Sequence, residues 1–214
     1  EKYRCRGGGV RLTEKGEQHV SPSRMGEPSS PSPRTKYEEK LYEPLVEALA
    51  REAEETGETA RIYNISHLRR PGLWRNPDAI KVSVQYYPIL RKHSLVVTTY
   101  EVKPWETPLD IKAIFEAASH RDFVHASYLV LGIPKQDDPS VGDLVAAISP
   151  ACKRFGLGLL TLKPFRRRFQ HESLRMPQFL QPLDENVEEF LGQVLGKLDR
   201  LGDLDHLYDE AFAE

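Results

Sequence analysis

Cysteine is nearly absent from this chain, which has only Cys5 and Cys152 among its 214 residues. Two thiols so far apart in sequence suggest no disulfide framework, and they lack the spacing of a zinc site. We therefore expect a reducing, cytoplasmic setting. Long apolar runs are also missing, since no stretch approaches the ~18 residues that a membrane span needs, and no signal peptide is recognisable. The sequence predicts a soluble protein without a membrane partner.

An excess of positive charge is missing as well. The 30 Lys and Arg residues are outnumbered by 32 Asp and Glu residues, which gives a formal net charge of −2. This balance excludes a globally basic coat for nucleic acid, so any such contact must come from local patches. The chain also has no glycine-rich loop followed by Lys-Ser or Lys-Thr, which argues against a P-loop nucleotide hydrolase.

Composition divides the chain into four segments. Residues 1–16 read as disordered, although Arg11 to Gly16 resembles the last strand of a winged-helix domain, of which this would be a remnant. Residues 17–35 are rich in Ser and Pro and predict a flexible linker. Residues 36–163 carry the regular hydrophobic periodicities and predict a folded core. Residues 164–214 predict a basic, irregular connector, a last helix and an acidic tail.

Hydrophobic periodicity predicts an α/β protein whose core has the order αβββαβ, with a mixed central sheet flanked by helices and an extra C-terminal helix. The predicted helices cover residues 36–57, 110–121, 141–155 and 185–201, and the predicted strands cover residues 60–65, 78–84, 94–103, 127–133 and 157–162. In the helix over 110–121, the apolar face is predicted to consist of Ile111, Ile114, Phe115 and Ala118.

Two carboxylates and an amine stand on adjacent predicted strands. Asp78 begins the second strand, and Glu101 and Lys103 end the third. Because side chains alternate along a strand, Glu101 and Lys103 share one face and Val102 faces the other. Such a set is suited to holding a divalent cation and a developing negative charge. The plain alternative is that Asp78 is a turn residue and that Glu101 and Lys103 are an exposed strand end.

The pattern Pro77-Asp78 followed by Glu101-Val102-Lys103, on these strands, resembles the PD-(D/E)xK nuclease superfamily, which has the restriction-endonuclease-like fold. The resemblance covers roughly residues 36–163, and it extends loosely to bacterial nuclease domains linked to helix-turn-helix modules. It implies that Asp78, Glu101 and the Val102 backbone carbonyl bind Mg²⁺ or Mn²⁺ and that Lys103 positions the attacking water. The implied function is hydrolysis of DNA phosphodiester bonds in bacterial defence, restriction or repair, with a homodimer as a reasonable expectation.

The superfamily often adds an acidic residue from the first helix. Glu38 lies on the apolar face of that predicted helix, between Leu41 and Tyr42 on the helical wheel. A carboxylate on such a face is costly to bury without a partner, and a metal site would provide one. We therefore predict Glu38 as the further metal ligand, with Glu39 as the alternative.

Candidate nucleic-acid contacts occur in three places where cations or aromatic residues cluster. Each has an alternative interpretation: a solvated loop with its Trp packed on the core, cations favoured by a helix C-terminus, or a surface run of charge. The candidates are Arg69, Arg70, Trp74 and Arg75 in a loop, His120 and Arg121 at a helix end, and Arg166 and Arg167 in the connector.

Two other functions remain open from the residues alone. One is a catalytically silent nuclease-like domain that binds nucleic acid or a protein partner. The other is an interaction module that docks through its acidic C-terminal helix. Intact Asp78, Glu101 and Lys103 argue against the silent domain, which has no need to keep all three.

Overall fold

A computed structural model describes residues 36–68, 76–105, 111–133 and 140–212 of the chain. These residues belong to one compact unit, which covers residues 34–214. The interpretations of residues 1–35 lie outside the described residues, and so do the candidate contacts Arg69, Arg70, Trp74 and Arg75.

The described residues form five α-helices, a short 3₁₀ helix and six strands, which confirms a mixed α/β protein. The helices are α1 (Lys36–Thr56), α2 (Ile111–Ser119), α3 (Ser140–Arg154), α4 (Asp184–Leu198) and α5 (Gly202–Phe212), with the 3₁₀ helix at His120–Asp122. The strands are β1 (Ala60–Asn64), β2 (Ala79–Tyr87), β3 (Lys92–Pro104), β4 (Ala126–Gly132), β5 (Gly158–Phe165) and β6 (Arg168–Arg175). In the part of the chain that the structure describes, no helix is both long and apolar enough to cross a membrane.

The six strands form one mixed sheet in the order β1-β2-β3-β4-β5-β6. The pairs β1–β2, β2–β3 and β5–β6 are antiparallel, whereas β3, β4 and β5 run parallel. Because parallel strands end on the same side, Pro104, Gly132 and Phe165 lie at one edge of the sheet, which we call the carboxyl edge. Register places Lys103 beside Leu131 and Leu131 beside Thr161.

Helices cover both faces of the sheet. The apolar stripe of α1, which includes Leu41 and Leu45, packs on the face that carries Val102 and Val130. Leu129 and Leu131, which flank Val130 in β4, point to the opposite face and pack against α2 and α3. As the continuous apolar run predicted, β4 is buried on both faces. A third cluster joins α4 and α5 to β2 and β3.

The prediction that the connector after residue 163 is irregular was wrong over Arg168–Arg175, which forms β6. This strand pairs with β5 through a two-residue turn at Arg166 and Arg167, where Arg166 adopts a left-handed conformation with φ of 54°. β6 is an edge strand that is exposed at most positions, so it carries charged residues instead of an apolar pattern.

The predicted acidic tail is also helical. The helix predicted to reach residue 201 ends at Leu198, and α5 follows it. Leu207 of α5 is fully buried, the Tyr63 hydroxyl donates to Asp203 at 2.8 Å, and Arg61 pairs with Glu210 at 2.5 Å. Tertiary contacts therefore fix a helix whose sequence reads as solvated: besides the two polar contacts, its residues Leu204, Leu207, Tyr208 and Ala211 pack on the core.

Candidate active site

Asp78 is attached to the end of β3 by two hydrogen bonds. Its N–H donates to the Tyr100 carbonyl at 2.9 Å, and its Oδ2 accepts from the Val102 N–H at 2.8 Å. Asp78 is 1 % exposed. These bonds fix the carboxylate beside the backbone of Val102, just before β2 begins at Ala79.

The Val102 carbonyl lies on this same side. Within a strand, the N–H and C=O of one residue point to one neighbour and those of the next residue point to the other. Since the Val102 N–H meets Asp78 and the Tyr100 carbonyl accepts from the Asp78 N–H, the Val102 carbonyl also points toward Asp78. The structure therefore brings together the predicted Asp78 carboxylate and Val102 carbonyl.

Glu101 and Lys103 lie on the opposite face of β3 from Val102, as the alternation predicted. The Lys103 Nζ is 2.7 Å from Glu101 Oε1, 3.1 Å from Glu116 Oε2 and 3.6 Å from Glu38 Oε1. We call Glu38, Asp78, Glu101 and Glu116 the acidic cluster. Its members come from α1, the start of β2, the end of β3 and α2, and they converge around one ammonium group.

Of the two acids proposed for the first helix, Glu38 is the one that reaches the cluster. Glu38 is 6 % exposed, and its Oε1 accepts a hydrogen bond from the Tyr42 hydroxyl at 3.2 Å. Glu39 is exposed. Because Tyr42 lies one helical turn later, it orients Glu38 from within α1.

Glu116 was missed because the apolar face predicted for α2 was only half right. Ile114 is buried and Ala118 packs against the core as predicted, but Ile111 and Phe115 are not buried. Ile111 and Phe115 are 51 % and 40 % exposed, and the residues that α2 buries are Ala113, Ile114 and Ala117. Glu116 follows Ala113 by three positions and precedes Ala117, so it belongs to the face that meets the sheet. The two alanines were the available signal, because small side chains let a helix approach a sheet closely.

The electrostatics of the cluster are dominated by unbalanced negative charge. Burial raises the pKa of Glu101 well above its ordinary value, the Asp78 charge adds to this effect, and Lys103 opposes it. Burial alone would lower the pKa of Lys103, but Glu101 and Glu38 outweigh it and raise that pKa. Among the described residues, Glu101 Oε2 has no hydrogen-bond partner. The Lys103 ammonium therefore leaves one oxygen of Glu101 without a donor in the described part of the chain.

The donors present suit a hard divalent cation. Carboxylate and carbonyl oxygens are the ligands that Mg²⁺ and Mn²⁺ prefer, and Glu101 Oε2 is a buried acceptor without a donor. Within the described ranges, no three His, Cys, Asp or Glu side chains are arranged to hold a metal ion. Lys103 pairs with three of the four carboxylates, so the ammonium would have to leave Glu101 before a cation could bind there.

His120 and Arg121 do not join this cluster. They follow α2 near the start of β4, where Ala126 pairs with Thr98 of β3. Thr98 and Lys103 are about 17 Å apart along β3, at a rise of ~3.3 Å per residue. His120 is buried. The Arg121 guanidinium donates to the backbone carbonyls of Phe155 and Gln178. These contacts favour a structural role for Arg121, and its nucleic-acid contact stays a prediction.

Arg166 and Arg167 do lie at the carboxyl edge. Both are exposed at the β5–β6 turn, and the Arg166 guanidinium carbon is 5.3 Å from the centroid of the Phe165 ring. Lys103 of β3 pairs with Leu131 of β4, which pairs with Thr161 of β5, so Thr161 is level with Lys103 two strands away. The turn lies beyond Thr161, at the far end of β5. From strand geometry, the turn is roughly 15–20 Å from the acidic cluster. Two exposed cations therefore stand on the same edge as the carboxylates.

Comparison with known proteins adds little. No protein-family model matches the chain, and no curated protein matches it. Among solved structures, a protein of unknown function from Silicibacter pomeroyi aligns with a TM-score of 0.42 and 15 % sequence identity, over 77 % of this chain and 88 % of that one. A similarity of this size assigns neither an activity nor a family.

Proposed function

We propose that this protein is a metal-dependent endonuclease that hydrolyses phosphodiester bonds of DNA. The observation that carries the proposal is the junction of β2 and β3, where Asp78 Oδ2 accepts from the Val102 N–H and Glu101 pairs with Lys103. Two carboxylates, one backbone carbonyl and one amine are thereby held at one end of a sheet. This combination matches the chemistry that phosphodiester hydrolysis requires.

The order of the elements supports a PD-(D/E)xK core. From α1 to β5 the chain follows the predicted sequence of a helix, three antiparallel strands, a second helix, a parallel strand, a third helix and a further parallel strand. Asp78 precedes the second strand and Glu101 ends the third, at the positions that the resemblance implies. The bacterial defence, restriction or repair setting rests on that resemblance alone.

Each residue of the site has a proposed role. Asp78, Glu101 and the Val102 carbonyl would hold Mg²⁺ or Mn²⁺, with Glu38 as a further ligand. When bound, such an ion neutralises charge on a phosphate and lowers the pKa of an attacking water. Lys103 would orient that water and stabilise the negative charge that develops on the phosphate. Burial of the carboxylates excludes bulk water and strengthens these interactions.

The proposed substrate is a polyanion that approaches the carboxyl edge. Arg166 and Arg167 are exposed there, and Arg166 lies over the Phe165 ring. Cations bind the phosphate backbone without reading sequence, so this turn would orient a strand across the site. The formal net charge of −2 makes such a local patch necessary.

A catalytically silent domain is the second candidate, and one observation favours it. Lys103 is 13 % exposed and contacts three carboxylates, so it neutralises much of the charge that would otherwise attract a cation. In such a domain the cluster would be a structural ion network. The nucleic-acid or protein contact would then be the entire function.

Cleavage assays separate these candidates. Supercoiled plasmid and labelled oligonucleotides are incubated with Mg²⁺ or Mn²⁺ and the wild type, Asp78→Asn or Lys103→Ala. Lys81→Ala is the matched control, because Lys81 also pairs with a glutamate at 2.8 Å, but that partner is Glu58, which lies between α1 and β1 and does not belong to the acidic cluster. We expect cleavage by the wild type and by Lys81→Ala, and loss of cleavage in the other two.

The outcomes are distinct. Cleavage that persists in both Asp78→Asn and Lys103→Ala contradicts the assigned site. Binding of DNA without cleavage by any protein, with both metals, supports the silent domain. A fold defect is detected by circular dichroism on each variant before activity is compared.

A further inference from the structure

The first five residues of β3, Lys92–Val96, extend beyond the start of β4. On one side they pair with β2 over Ser83–Tyr87. On the other side, pairing with β4 begins only at Thr98, opposite Ala126. This part of β3 is therefore paired on one side only, although β3 is a central strand. We call its open side the β3 edge.

The β3 edge exposes backbone hydrogen-bonding groups. Val97 directs its groups toward β4, since its N–H donates to His125 Nδ1 at 3.1 Å and its carbonyl accepts from the His125 N–H at 3.0 Å. Alternate residues of a strand point to the same side, so His93 and Leu95 direct their N–H and carbonyl groups into the β3 edge. None of these four groups has a backbone partner among residues 36–68, 76–105, 111–133 and 140–212.

Two cavities border the β3 edge, one of about 620 Å³ and one of about 210 Å³. Together they form a groove that we call the β3 groove. Their shared lining residues are Lys92, Ser94, Leu95, His125 and Gln181. A groove along an unpaired strand edge has the shape and the hydrogen-bonding groups that one further strand completes.

The walls of the β3 groove specify the side chains of that strand. The larger cavity is lined by Val187 and Leu191 of α4 and by Leu204 of α5, which are apolar. Asp184 and Glu188 line the same cavity and outweigh the positive charge of Lys92, which also lines it. An apolar side chain suits the leucines and valine, and a Lys or Arg two positions away, on the same face of the peptide, suits the two carboxylates.

We propose that the β3 groove binds an extended peptide that carries an apolar residue and a Lys or Arg two positions apart, so that both side chains point to the same face. The peptide backbone pairs with His93 and Leu95 and adds a strand to the sheet. Its apolar side chains enter the cavity between β3, α4 and α5, and its cation meets Asp184 or Glu188. The site is at the amino end of β3, away from the acidic cluster, so it does not depend on nuclease activity.

Hydrogen exchange of two amides tests the proposal directly. The probe is a short synthetic valine–lysine peptide with both termini blocked, in which a valine and a lysine stand two positions apart and face the same side of the added strand. We expect it to slow exchange of the His93 and Leu95 amides by about tenfold or more, because each amide gains a hydrogen bond. A peptide N-methylated on its pairing side should lose this protection, and a valine–glutamate peptide should bind about tenfold more weakly, measured by calorimetry.

A charge reversal on α4 supplies the matched variant. Glu188→Lys should weaken the valine–lysine peptide by about fivefold or more and strengthen the valine–glutamate peptide. Glu189→Lys should leave both unchanged, because Glu189 is exposed, accepts from Gln193 at 2.8 Å and does not line the groove. Equal effects of the two variants would contradict the assigned charge contact.

Three results would overturn the proposal. The first is that the His93 and Leu95 amides are already protected in the free protein. The second is that the N-methylated peptide protects them as well as the unmodified one. The third is that their protection rises with protein concentration in the absence of peptide, since this assigns the edge to self-association.

Discussion

Replacing Lys103 by methionine removes the ammonium that pairs with Glu38, Glu101 and Glu116 and keeps most of the side-chain volume. Glu101, whose side chain is 3 % exposed, then loses its partner at 2.7 Å. Removing one member of a buried ion pair costs about 3–5 kcal/mol, because the other charge stays buried without compensation. We therefore expect Lys103→Met to be strongly destabilised at neutral pH.

The expected change is large enough for simple calorimetry. For a unit of this size, 1 kcal/mol shifts Tm by about 2–4 °C, so Lys103→Met should melt roughly 6–20 °C below the wild type. Lys163→Met is the matched control, since Lys163 also pairs at 2.8 Å, but with Glu172, whose side chain is 55 % exposed. Exposed pairs contribute only about 0–1 kcal/mol.

The pH dependence gives a second check on Lys103→Met. Lys103 lowers the pKa of Glu101, so its loss raises that pKa further. Protonation then removes the buried charge, and the penalty should shrink as pH falls toward the ordinary glutamate range. A Lys103→Met that costs no more than Lys163→Met at pH 8, or costs equally at low and high pH, would refute the assignment of Lys103 as the counterion of Glu101.

Three further predictions concern single residues. Because the pKa of Glu101 is raised in the folded state, the free energy of unfolding of the wild type should fall as pH rises above the ordinary glutamate pKa. Urea titrations at several pH values measure this fall, and Glu101→Gln should lack it. Arg121→Met should lose about 1–3 kcal/mol of stability with unchanged cleavage per folded molecule, since Arg121 donates to backbone carbonyls, and a cleavage defect would contradict this role. Arg166→Gly should keep or raise Tm, because glycine tolerates φ of 54°. In the same variant, the slope of the logarithm of the DNA-binding constant against the logarithm of the salt concentration should fall in magnitude by about 0.9. An unchanged slope would exclude Arg166 as a phosphate contact.

Local patterns were sufficient for the centre of the fold. The alternation of Glu101, Val102 and Lys103 defined which side chains share a face, because a strand has a period of two that no neighbour can change. The apolar run of β4 predicted a strand buried on both faces for a similar reason. The pairing of Asp78 with Val102 follows from the register of β2 and β3, which the motif spacing only suggested.

The missed features depend on partners distant in sequence. β6 is a strand because β5 offers it an edge, and its own residues show no strong apolar period. Glu116 faces the site because Ala113 and Ala117 allow α2 to lie close to the sheet. A pattern based on hydrophobicity misses this, because it ranks the two alanines below Ile111 and Phe115. Arg121 reads as an exposed cation until its carbonyl partners, which lie over 30 positions away, are known.

The hydrogen bond from the Val102 N–H to Asp78 makes one backbone amide a spectroscopic reporter of the candidate site. The amide proton senses the charge on the carboxylate that it contacts, so its NMR resonance should move when Asp78 gains a proton or a cation. Because Val102 is itself fully buried, solvent composition has little direct effect on that resonance. Occupancy of the cluster is therefore readable from a single peak, before any substrate is known.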